Sequence, residues 1–91
     1  MATEQQVKIA AQLYDARDTA KRLLGDEYAD KIAVWQAVIR FHMKATGLDE
    51  MHSVMELVAA AQRSGDAMPQ LLLLAAYVEM IEPSGETACS P

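Results

Sequence analysis

His52 and Glu56 stand four residues apart, and Asp49 lies one turn before His52. Residues three or four apart share one face of a helix, so an imidazole and two carboxylates placed this way could hold a divalent metal weakly. The helical zinc signature needs a second histidine and a third ligand. The sequence has neither at that spacing, and no metal is expected. His42 falls at the edge of an apolar helical face, the position of a partly buried structural histidine rather than a catalytic one. The single cysteine, Cys89, lies in the stretch GETACSP with no base fixed beside it to generate a thiolate. The four glycines, Gly25, Gly47, Gly65 and Gly85, all fall at helix ends, which leaves no glycine-rich loop to cradle a phosphate. Neither catalytic groups nor a cofactor site is read from the chain, and the expectation is a protein that is not an enzyme.

The elements that would carry these side chains are helices. Thr3 and Gln6 have the spacing of a capping box, and the first helix covers about 4–24 and stops at Gly25, a natural left-handed residue. Asp26 is placed to cap a second helix over about 27–46, closed by Gly47. Asp49 caps a third, about 50–63, ending at Ser64 and Gly65. Asp66 caps a fourth, about 67–81, with Pro69 in its first turn, where a missing N–H costs little. Pro83 and Gly85 stop it. The expectation is a compact all-α bundle of four helices in one domain, 1–82, with a flexible tail over 83–91.

At 100° per residue, Tyr28, Ile32, Trp35, Ile39 and Met43 share one face of the second helix. Val34, Val38, Phe41 and Ala45 share another, roughly 130° round. Gln36, Arg40 and Lys44 form the strip left for water. Two apolar faces need neighbours on both sides, so this helix is expected at the centre of the bundle. The first helix offers a stripe of Ile9, Leu13, Ala16, Ala20, Leu23 and Leu24, whose small residues at 16 and 20 allow a close neighbour. The third offers Met51, Val54, Met55, Val58 and Ala61, with Leu57 beside them.

The fourth helix is apolar almost all round: Leu71, Leu72, Leu73 and Leu74 alone point in four directions. It is too short to span a bilayer, which needs about 20 apolar residues. Four helices in so short a chain can hardly cover this helix and a two-faced second helix together. The surplus predicts a homodimer about a two-fold axis, through the second helix or through Leu71, Leu74, Val78 and Ile81 of the fourth.

Composition narrows function. The apolar share is 52%, aromatics are 5% and the net charge is −5. Residues 1–46 carry seven bases and six acids, whereas residues 47–91 carry one base and seven acids. Such acidity disfavours nucleic acid, which is bound by clustered Lys and Arg. A helix-turn-helix reading of the second and third helices places Asp49, Glu50, Met51 and His52 where a recognition helix needs basic or amide side chains. Met1 is not followed by a basic segment and an apolar run, so no secretory signal is read and the cytoplasm is the expected compartment. Val7, Ala10 and Tyr14, with Arg17 and Lys21 alongside, form a patch on the first helix read as a contact for another protein. The six methionines read mainly as core filler, with a groove around Met51 and Met55 as the alternative.

Together these readings predict a non-enzymatic protein–protein interaction module. By analogy with small acidic helical proteins of bacteria and phages, it would be a regulator or inhibitor that blocks a partner protein. The alternatives are a small dimeric transcriptional regulator using the basic surface of the first two helices, and a purely structural assembly subunit.

Overall fold

The computed structural model describes residues 4–82, without the side chains of residues 5–10. It holds four α-helices: α1 (Glu4–Leu24), α2 (Tyr28–Thr46), α3 (Glu50–Ser64) and α4 (Ala67–Ile81). A 3-10 turn, Gly25–Glu27, joins α1 to α2. No strand occurs among the described residues. None of these helices is long and apolar enough to cross a membrane. Thr3 and the tail over 83–91, including Cys89, lie outside the described residues, as do the side chains of Gln6 and Ile9.

Two of the breaks follow directly from glycine. Gly47 and Gly65 each sit at φ 78°, the left-handed region that L-residues avoid. The Gly47 N–H donates to the Met43 carbonyl at 2.8 Å, satisfying a terminal acceptor of α2. Asp49 caps α3 through its side chain, which accepts the His52 backbone N–H at 2.8 Å. The other two expected caps differ. The chain passes from α1 into α2 through the 3-10 turn, so Asp26 lies within that turn; Glu27 holds the N-cap position and makes no side-chain capping bond. Asp66 holds the N-cap of α4 without a side-chain bond, and its carbonyl instead accepts from Gln70 Nε2 at 2.9 Å.

The axis of the bundle is α4, which corrects the expectation that α2 would be central. α1, α2 and α3 all pack on α4, whereas among the described residues α1 barely meets α2 and does not meet α3. Leu72, Leu73, Ala75, Ala76 and Val78 are buried on α4. Leu72, Leu73, Ala75 and Ala76 meet Ala20, Ile32, Ile39 and Val54 from the other three helices in the core. The physical reason is the polar strip. α2 has a side that can face water, and α4 has almost none, so leaving any face of α4 in solvent costs more. Small residues are buried on both helices: Ala16 and Ala20 on α1, and Ala75 and Ala76, fully, on α4. Leu23, expected in the stripe of α1, is exposed.

α3 is rotated relative to its expected stripe. Ser53 and Val54 are buried and Leu57 is half-buried, while Met51 and Met55 are exposed. The Ser53 hydroxyl is fully buried and has no hydrogen-bond partner among the described residues.

Candidate interaction face on α2

The face of α2 made by Tyr28, Ile32, Trp35, Ile39 and Met43 is the inner one: Ile32 and Ile39 are buried and the others pack against the core. Gln36, expected in the solvent strip, turns inward, and its Nε2 donates to the Ala76 carbonyl at 3.4 Å. The second apolar face is not covered by the chain's own helices. Phe41 is 76% exposed and Val34 59%. Ala37 and Ala45 are exposed and Val38 is half-buried. At 1.5 Å per residue, the stripe from Val34 to Ala45 runs for about 16 Å along the helix.

The surroundings of this stripe are polarised. From Val34 to Thr46, α2 carries Arg40 and Lys44 and no acid; Asp30 and the preceding Glu27 and Asp26 lie at the other end, beside one exposed base, Lys31, on the opposite flank of the stripe from Asp30. Asp30, Arg40 and Lys44 are exposed and have no ion-pair partner among the described residues. Beside the stripe, at the C-terminal end of the helix, an open hollow of about 500 Å³ is lined by Arg40, Phe41, Met43, Lys44, Gly47 and Leu48. An exposed apolar stripe with a charged margin has the chemistry of an adhesive surface. It presents no nucleophile and no paired acid and base.

The side chains first considered for chemistry do not converge. His52 Nδ1 lies 2.7 Å from Asp49 Oδ1, in the same cap as the backbone bond. This cap holds the Asp49 carboxyl below its usual pKa, chiefly through the His52 backbone N–H and then through the imidazole. Glu56 points toward α2 instead, with Oε1 3.6 Å from His42 Nε2. Among the described residues, no three His, Cys, Asp or Glu side chains are grouped closely enough to hold a metal ion.

Three residues of the patch read on α1 also make contacts within the fold. Tyr14 donates its hydroxyl to the Glu82 carboxylate. Arg17 Nη1 donates to the Glu82 carbonyl at 3.1 Å, and the guanidinium lies 5.2 Å from the centre of the Tyr14 ring. Lys21 Nζ lies 5.7 Å from the centre of the Tyr28 ring, and the Tyr28 hydroxyl donates to Glu79 Oε2 at 2.6 Å. Tyr14, Arg17 and Lys21 therefore run along the seam where α1 meets the end of α4. The side chains of Val7 and Ala10 lie outside the described residues.

The four residues read as a dimer interface are spread round α4. Val78 is fully buried within its own chain and has no surface to offer, so it leaves that set. Leu71 and Leu74 are half-buried, and Ile81 is exposed. The most exposed large apolar side chain among the described residues is Phe41 on α2, with Val34 on the same face; Leu23, Met51, Met55, Met68 and Ile81 are exposed on the other helices. Sequence reasoning identified both apolar faces of α2 and missed which one stays outside. The available signal was Arg40 and Lys44, which α4 does not match with any base of its own.

No protein-family model matches the chain, and neither does any curated protein or solved structure.

Proposed function

We propose that the chain is a non-enzymatic protein-interaction module whose contact surface is the outer face of α2. One observation carries this reading: the only phenylalanine of the chain stands three-quarters exposed in a stripe with Val34, Val38 and Ala45. Leaving such a side chain in water forfeits about 1.5–3 kcal/mol of burial, and a protein partner is what recovers it. The concrete form is a small regulator or inhibitor, acting by binding rather than by chemistry.

A photo-crosslinking amino acid at position 41, incorporated in the native host, tests the reading. Protein adducts are expected at 41 and not at Arg63, an exposed position away from the stripe. Absence of any protein adduct at 41 would overturn it.

A further inference from the structure

We infer that the occupant of this face is a second copy of the chain, packed with its α2 antiparallel to the first across a two-fold axis near Ala37 and Val38. The inference rests on the reading of the α2 face as a protein-binding surface and names what that surface takes.

Spacing and charge both point to this pairing. Val34, Val38, Phe41 and Ala45 recur at intervals of four, three and four, the seam spacing that lets one helix interdigitate with another. A two-fold interface must be complementary to itself, with each position meeting its symmetry mate. An antiparallel pair centred near Ala37 and Val38 sets Val34 against Phe41 of the partner subunit at both ends of the seam. The small Ala37 and Ala45 leave room beside the two phenyl rings.

Charge fixes the direction. On the helical wheel, Asp30 and Lys44 fall on the same side of the stripe, fourteen residues apart and near its opposite ends. In an antiparallel pair, like flanks meet. Asp30 therefore faces Lys44 of the partner subunit, and the same pair recurs at the other end. Neither residue has an ion-pair partner among the described residues of its own chain, so both remain available. A parallel pair would keep Asp30 and Lys44 at opposite ends of the seam, fourteen residues apart, and would form neither contact. The helix dipoles oppose one another favourably only in the antiparallel arrangement.

A single pair of 19-residue helices buries an area at the low end of stable interfaces. The expected dimer is therefore reversible, dissociating over roughly the micromolar range.

Sedimentation equilibrium of the purified chain from about 1 μM to about 1 mM is the test, these limits bracketing that range. The wild type should move from the 10.0 kDa chain mass toward twice that value. Phe41→Asp should weaken association by at least about tenfold, since it buries an unpaired carboxylate. Asp30→Lys and Lys44→Asp should each weaken it, and the double variant should restore it toward wild type. A mass of 10.0 kDa at every concentration, or a dimer indifferent to Phe41→Asp, would overturn the inference. So would failure of the charge swap to rescue. A monomer that still gives adducts at position 41 in its host defeats the second copy as occupant and leaves the protein-binding reading standing. Loss of the adducts defeats that reading itself.

Discussion

In most small domains the sole phenylalanine would be a costly residue to truncate; here the neighbouring isoleucine should cost far more. Phe41 is 76% exposed and Ile39 is fully buried, although they are two residues apart on the same helix. An aromatic side chain has about 200 Å² to bury. With about a quarter of Phe41 covered by its own chain, truncation to Ala loses about 50 Å² of contact. At about 25 cal/mol per Å² that is about 1 kcal/mol. Ile39→Ala removes a fully buried side chain against α4 and leaves a cavity, a loss of about 3–4 kcal/mol. A domain of this size has only about 5–10 kcal/mol of stability in total. Urea titration followed by helical circular dichroism and by Trp35 fluorescence reads both values. With a slope of about 1 kcal/mol per molar urea, the midpoint should fall by about 1 M for Phe41→Ala and about 3 M for Ile39→Ala. The comparison belongs at about 1 μM protein, at the lower edge of the range in which the α2 pair forms. At higher concentration, the wild-type midpoint should rise with protein concentration and that of Phe41→Ala should not. Equal losses for the two substitutions at low concentration would refute the placement of the α2 faces.

Three further predictions concern buried and capping groups. Ser53→Ala should stabilise the fold by about 1 kcal/mol, because it removes a fully buried hydroxyl that has no partner among the described residues; a lower melting temperature would contradict this. Tyr28→Phe should cost about 1 kcal/mol after solvent screening of its bond to Glu79. Burial first, and then that bond, raise the Tyr28 pKa above the ordinary value of 10.0. Its stabilising contribution is therefore present below about pH 10 and is lost as pH rises beyond it, so the phenylalanine variant should show a shallower alkaline decline in urea midpoint. Asp49 has the opposite sign: its carboxyl is lowered in the fold, so its contribution is present above about pH 4 and is lost as pH falls. Asp49→Asn keeps a capping acceptor and should flatten the acid limb of the stability profile, read as thermal midpoints from pH 6 down to about 3.

The four helices were legible because their punctuation is local. Gly47, Gly65 and Asp49 act within one turn of where they stand, and each does in the structure what its type implies. The nearly uniform burial of α4 was also legible, since four successive leucines leave no face for water. The choice of axis was not. A helical wheel reports which sectors are apolar, not which neighbour covers them, and α2 and α4 both exceed one sector. The rotation of α3 was hidden for a related reason: Met51 and Met55 fit a core as readily as Leu57 does, and only the meeting with α4 decides that Ser53 and Val54 turn inward instead. The seam of Tyr14 and Arg17 with Glu82 joins residues more than sixty positions apart. Nothing in the local pattern of either segment signals that meeting, so the clasp beside the α1 patch was not legible.

That the central helix is also the last of the four in chain order bears on how the protein is made. At about 5–20 residues per second on the ribosome, α1 emerges first and finds neither α2 nor α3 a substantial neighbour. Its buried alanines and the Tyr14 and Arg17 side chains must wait until residues 67–82 have cleared the exit tunnel. Folding is therefore held back to the end of synthesis of this segment, and the nascent first helix is the part most dependent on a chaperone or on speed.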